Sequence, residues 1–232
     1  LGWRSIFWGT SPIGLAAVAL VLFGLRGDWA EAEGEPFDLA GSVVLAIALP
    51  ALVYGSSSLP ALRGVLLLAA GLLGIAGFFL LEQRVASPIF PAKLLLDNRT
   101  FAFSSLAALI NYASTFAVTF LLSLYLQHIL GLPPQSAGTV LVAQPIVMAA
   151  VSPLAGRLSD RFEVRVLASI GMALVSLGLA LLAFLGNQTR VPFIVVSLVV
   201  LGLGYGLFSS PNMNAIMSSV EKRFYGVASA TV

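Results

Sequence analysis

The chain has 232 residues, 59% of them hydrophobic and only 9% charged, with a mean hydropathy of +1.00. A soluble domain carries about 25% charged residues and shows a largely polar outside, so an ordinary water-soluble fold is excluded. A net charge of +2 is too weak for a nucleic-acid surface, the lack of cysteine removes disulfides and thiolate metal sites, and one histidine with few acids offers no metal set.

Lipid is the solvent this composition fits. A spanning helix needs roughly 20 consecutive apolar residues, because its backbone must satisfy its own hydrogen bonds in hydrocarbon. Runs free of Asp, Glu, Lys and Arg cover 5–25, 39–62, 64–81, 100–156, 166–189 and 191–220. The first predicts a span at 6–25. Only Arg4 precedes it and no small-residue cleavage site follows, so it does not read as a signal peptide. The next two predict spans at 38–57 and 62–81.

The long run at 100–156 exceeds one helix and is broken by Gly131-Leu132-Pro133-Pro134, which predicts spans at 102–127 and 136–155. Spans at 166–185 and 193–219 complete the set. The expected fold class is all-α: a polytopic membrane protein with seven transmembrane helices. The alternation of a transmembrane β-barrel is absent.

In the fourth span Ser104, Asn111, Ser114, Thr115 and Thr119 fall on one broad helical face, which predicts a face turned from lipid. Asn111 lies roughly 14 Å into the span, and Gln144 reaches a similar depth from the other side. Both amides, with Thr115 and Tyr112, are candidate cavity-lining residues; the alternative is interhelical hydrogen bonding with no ligand for the amides, and packing against lipid for Tyr112. Gln127 and His128, at the outer end of the same span, read as interfacial residues, with a proton relay as the alternative. In the seventh span Gly202 and Gly206 form a G-x-x-x-G pair suited to close helix packing. Pro211 removes a backbone donor and predicts a kink, with Asn212 and Asn214 satisfying the freed groups nearby.

Positive charge retained in short loops sets orientation. Arg26, the loop near 82–101, the loop 156–165 and the tail hold nine of the twelve Lys and Arg; Arg4, Arg63 and Arg190 hold the rest. The nine-charge side is expected to be cytoplasmic, with residue 1 outside and residue 232 inside. The acidic stretch Asp28, Glu31, Glu33 and Glu35 does not overturn this, since carboxylates count little. The chain starts without methionine and stops at Ser229-Ala230-Thr231-Val232, so it is expected to be a slice of a longer protein.

The loop Gly156-Arg157-Leu158-Ser159-Asp160-Arg161-Phe162-Glu163-Val164-Arg165 resembles the G-x-L-x-D-R-x-G-R-R/K signature of the major facilitator superfamily. Gly156, Leu158, Asp160, Arg161 and Arg165 match; Glu163 and Val164 replace the usual Gly and Arg, as in the weaker copy of the C-terminal half. Trp3-Arg4-Ser5-Ile6-Phe7 with Pro12-Ile13-Gly14, Tyr125-Leu126-Gln127 with Gly131-Leu132, and Gly202-Leu203-Gly204-Tyr205-Gly206 with Phe208, Pro211 and Asn212 resemble its fourteen-helix drug:proton antiporters.

The resemblance implies helices six to twelve of fourteen. Residues 1–35 would be the last helix of the N-terminal bundle and a cytoplasmic loop, 36–84 two extra linker helices, and 85–232 the first four helices of the C-terminal bundle. It implies export of amphipathic small molecules, in exchange for protons, from a bacterial inner membrane, with lipid as surroundings and no cofactor, covalent catalysis or nucleic acid. The loop then reads as a cytoplasmic gate, or its arginines serve only topology. All ten Asp and Glu lie in loops or at span ends, so the coupling carboxylates are expected outside this segment. A facilitator-superfamily importer or lipid exporter is the nearest alternative. A seven-helix receptor rests only on the span count, and an intramembrane enzyme would need paired acids, histidine clusters or a Ser/His/Asp set within the membrane.

Overall fold

The computed structural model describes residues 4–24, 38–85, 88–90 and 92–230. The acidic stretch 28–35, with Trp3, Arg26 and Val232, lies outside them. Among the described residues the regular structure is helical: α1 (Arg4–Gly24), α2 (Leu39–Ser57), α3 (Leu62–Glu82), α4 (Ala92–Asp97), α5 (Arg99–Leu124), α6 (Pro134–Leu141), α7 (Ala143–Ser159), α8 (Val164–Ala183), α9 (Val191–Ser218) and α10 (Tyr225–Ala230). Seven stretches among these residues are long and apolar enough to cross a membrane. Each coincides with a predicted span to within a few residues, so the chain is an all-α polytopic membrane protein.

Apolar side chains face outward as a rule, with Trp8 78%, Phe116 76% and Phe184 80% exposed, which suits hydrocarbon surroundings. Several hydroxyls on the spans are returned to their own backbone. Ser11 donates to Phe7 O at 2.7 Å, Ser152 to Met148 O at 2.8 Å and Ser197 to Phe193 O at 2.9 Å, so these side chains need no water.

Residues 1–35, with α1, form one compact unit and 36–232 another. Within the second, α2 and α3 make a tight antiparallel hairpin. A Cβ at Gly71 would sit 2.6 Å from the backbone nitrogen of Leu52, and one at Gly55 would meet the backbone of Leu68, so the two backbones touch. Asp38 caps α2, its Oδ1 accepting the Gly41 N–H at 2.9 Å.

The rest is built on α9, the most enclosed helix. Ile194, Leu198, Leu201 and Tyr205 join Val118, Leu122 and Leu126 from the α5 side and Val175 from α8 in one core. The small residues of α9 decide how near its neighbours come. Cβ atoms at Gly202 and Gly206 would stand 2.6 Å from Gln144 O and 2.9 Å from Val151 Cβ, while one at Gly204 would stand 2.7 Å from the Val175 nitrogen. α7 therefore lies on one side of this glycine ladder and α8 on the other.

Local signals explain the breaks. Gly131 turns the chain at φ 66°, Pro133 adopts an extended conformation, and Pro134 opens α6, where its missing N–H costs nothing. Tyr125–Ile129 runs on from α5 as a π-helical turn. Two features depart from the sequence reading. The fifth span is two helices, α6 and α7, meeting at Val142. The short α4, too brief to leave a hydrophobic run, precedes α5 and was not foreseen.

Asn98 joins these parts. Its Oδ1 accepts the Phe101 N–H at 3.0 Å as the cap of α5, and its Nδ2 donates to Ser219 O at the end of α9. Asn98→Ala should lower stability by about 1–2 kcal/mol, read as a lower melting temperature in detergent. A melting temperature equal to that of the parent would show that the bond to Ser219 adds nothing.

Candidate functional site

Loop 156–165 is a compact link. The backbone N–H groups of Arg161 and Phe162 converge on Leu158 O at 3.0 and 2.9 Å, closing α7, and Glu163 O accepts the Val166 N–H at 2.9 Å, opening α8. A Cβ at Gly156 would lie 3.2 Å from Ser210 Oγ of α9, so glycine lets the end of α7 approach that helix. Ser159 Oγ donates to Gly156 O at 2.7 Å and accepts from Asn214 Nδ2 at 3.3 Å. The loop is thus tied to α9, while Asp160, Arg161 and Arg165 remain exposed and Leu158 is 38% exposed.

Beside this loop opens a cavity of about 800 Å³ between the first half of α5, the start of α8 and the second half of α9. Arg99, Glu163 and Arg165 give it charge; Phe103, Met172 and Phe208 give it apolar wall; Ser104 and Asn212 add polar groups. A second, mainly apolar cavity of about 420 Å³ lies further along α5 and α8, lined by Ser114, Leu121, Tyr125 and Leu182 among others. Between the two, along α5, Asn111 Nδ2 points to Met172 Sδ at 3.7 Å and Ser114 Oγ meets Tyr205 Oη at 3.0 Å. These contacts sit on the helices that line both spaces, and they are short enough to hold α5 against α8 and α9.

Asn111 is 5% exposed. Thr115 gives its hydroxyl to Asn111 O at 3.0 Å. Tyr112 is 39% exposed, and Gln144, 5% exposed, lies at the start of α7 against α9. None of these four lines the 800 Å³ cavity, and Asn111 reaches it only through Met172. The polar face of α5 is partly turned inward: Ser104, Asn111, Ser114 and Thr115 are buried or half-buried, but Thr119 is exposed and spends its hydroxyl on Thr115 O at 2.9 Å.

Pro211 lies inside α9, fully enclosed, and its neighbour behaves differently from expectation. Asn212 Nδ2 donates at 3.1 Å to Ser104 O on α5, and Asn214 donates to Ser159, so both amides join helices instead of serving the backbone near the proline. Arg99, Glu163 and Met172 line the larger cavity and Tyr205 meets Ser114, and none of the four was expected from the sequence as a candidate site residue. Tyr205 carried a legible signal: a phenol within an otherwise apolar, glycine-rich run requires a buried hydrogen-bond partner.

The whole chain, residues 1–232, matches the profile of the Major Facilitator Superfamily. It is 30% identical to the riboflavin transporter RibZ of Clostridioides difficile, over 97% of this chain and 49% of that protein. It is 30% identical to the tetracenomycin C resistance and export protein of Streptomyces glaucescens, over 98% of this chain and 43% of that protein. The multidrug resistance protein Stp of Mycobacterium tuberculosis is 28% identical, again over 98% and 43%. The chain spans about half the length of the curated relatives it matches.

Proposed function

The chain belongs to the Major Facilitator Superfamily, and on that premise we propose that it forms part of a secondary transporter exporting amphipathic small molecules by proton antiport with alternating access. The observation that carries the reading is the 800 Å³ cavity: apolar walls for a hydrophobic body, with Arg99, Arg165 and Glu163 at its charged part for a polar end. The relatives named for multidrug resistance and for tetracenomycin C export support export, and the work is conformational, with no covalent step for an enzyme to catalyse.

In this reading 1–35 closes one bundle, 36–84 adds two linker helices and 85–232 begins the second bundle. Asn111, Thr115, Gln144 and Tyr112, none of which lines that cavity, are assigned to a deeper stretch of the substrate path near the middle of the membrane. Asp160 and Arg161, with Gly156, Leu158 and Arg165, form the cytoplasmic gate, and Gly202, Gly206, Pro211 and Asn212 set the packing on which the bundle rocks. The membrane is the bacterial inner membrane, with residue 1 outside.

The test is dye efflux from cells expressing the full-length protein, with labelling of single cysteines introduced at Arg161 and Lys222. These 232 residues hold no cysteine, and any cysteine elsewhere in the full-length protein is first replaced by serine. Efflux that stops when an uncoupler collapses the proton gradient, with both cysteines labelled only from inside, is expected. Gradient-independent efflux removes the antiport, and labelling on opposite faces removes the topology. Uptake of a planar nutrient is the second reading, favoured by the relative named a riboflavin transporter. Accumulation of labelled riboflavin by the same cells would select it.

A further inference from the structure

Two carboxyl groups lie buried where the α2–α3 hairpin meets the chain that follows it. Asp38, at the start of α2, is 7% exposed and Glu82, at the end of α3, is 3% exposed. Both stand at span ends, as the sequence places them, yet neither is open to solvent. They face each other: a Cβ built at Gly41 would touch Asp38 Oδ2 and lie 3.1 Å from Glu82 Oε1.

Three of the four carboxyl oxygens have donors. Asp38 Oδ1 accepts the Gly41 N–H at 2.9 Å, Glu82 Oε1 the Ile89 N–H at 3.1 Å, and Glu82 Oε2 the Phe90 N–H at 3.2 Å. The fourth, Asp38 Oδ2, is buried with no partner. Two ionised carboxylates in contact and out of water repel strongly, and an orphaned buried oxygen costs the full desolvation of that group. One proton removes both penalties.

Among the described side chains no cation pairs with either carboxyl; the side chain of Lys93, in α4, lies outside them. On α3 and just beyond it, the other titratable side chains are Arg63, at the far end of the helix, and Arg84, which is exposed. Tyr54 stands at the opposite end of α2 and is 56% exposed. Residues 88–90 carry no titratable side chain. From α10, Val227 and Ala230 line the adjoining cavity of about 350 Å³ together with Ile89, Phe90 and Phe78, while Tyr225 is 39% exposed.

We propose that Asp38 and Glu82 form a proton-binding site, one proton being shared between Asp38 Oδ2 and the Glu82 carboxylate. The geometry supports a shared proton: Glu82 accepts two backbone N–H groups, and the unpartnered Asp38 Oδ2 beside it is the oxygen with no donor of its own. The site holds more than itself. Glu82 pins Ile89 and Phe90, and Phe90 packs on the cluster of Phe101, Ile216 and Ala228 at the ends of α5 and α9 and in α10. The proton therefore locks the hairpin to the helices around α9, and its departure loosens that joint. The inference is independent of what the protein transports.

The test uses the full-length protein in lipid nanodiscs, followed by infrared difference spectroscopy and thermal melting from about pH 5 to about pH 9. The folded state binds the proton, so stability is present at low pH and lost as pH rises, with the melting temperature falling by about 4 °C. A protonated-carboxyl component should fade over the same range in the parent, and the parent-minus-variant spectrum should show that component lost in both Asp38→Asn and Glu82→Gln. Asp38→Asn, whose amide N–H still donates to Glu82, should melt independently of pH across that range. An Asp38→Asn spectrum whose carboxyl region titrates identically to that of the parent overturns the proposal. So does restoration of the high-pH melting temperature by sodium in place of a bulky organic cation at equal ionic strength, which would make this a metal-cation site.

Discussion

Gly204→Leu should leave little folded protein, because it drives α8 away from α9. The built Cβ alone would lie 2.7 Å from the Val175 nitrogen and 2.8 Å from Gly171 O, and both are backbone atoms within a helix. A side chain could swing aside; a helix backbone moves only as a whole. Overpacking against side chains costs about 1–3 kcal/mol, so a clash with backbone on the most enclosed face of the bundle should exceed about 3 kcal/mol. The core made by Val175, Leu201 and Tyr205 would separate with it.

Gly138→Ala is the matched control. Gly138 lies on α6 with nothing within 4 Å of a built Cβ, so the change should leave stability equal or raise it by about 0.5–1 kcal/mol through helix propensity. Melting in detergent and recovery from size-exclusion chromatography give the readout. Gly204→Leu behaving like Gly138→Ala would mean that α8 and α9 do not meet at Gly204.

Asp160→Asn should cut transport by at least about tenfold while leaving folding, insertion and melting unchanged. In this structure Asp160 is exposed at the end of α7, held through its backbone N–H on Leu158 O. Replacing an exposed carboxylate by its isostere changes stability by no more than about 0.5 kcal/mol. A loss of transport therefore reports a second conformation, in which the carboxylate finds a cation or a helix N-terminus that it lacks here. Tenfold corresponds to about 1.4 kcal/mol, the size of one charge-assisted contact. Asp160→Glu should recover part of the rate. Full transport by normally inserted Asp160→Asn would reduce the loop to a topology determinant, with Arg157, Arg161 and Arg165 as its active content.

The number, order and approximate limits of the spans were legible in the sequence, because lipid imposes a constraint that is local in the chain: about 20 residues in a row with nothing to hydrate. The positive loops and the turn at Gly131-Leu132-Pro133-Pro134 are local too, as is the motif at 156–165. The superfamily followed from those motifs, and the match over residues 1–232 agrees.

Which faces meet was decided by the tertiary structure. In a bilayer both the packed and the lipid-facing sides of a helix are apolar, so α9 has no polar stripe to mark its outside, and only its small residues and rare polar groups distinguish one face from another. Asn212 finds Ser104 across 108 positions and Tyr205 finds Ser114 across 91, pairings that no local pattern specifies. The same holds for Asp38 and Glu82. Read along the chain they are two acids at two span ends, each with water nearby; the hairpin closes on them, removes that water, and turns two ordinary carboxylates into one buried pair. Burial is a property of what lies opposite a residue, and the sequence states only what lies next to it.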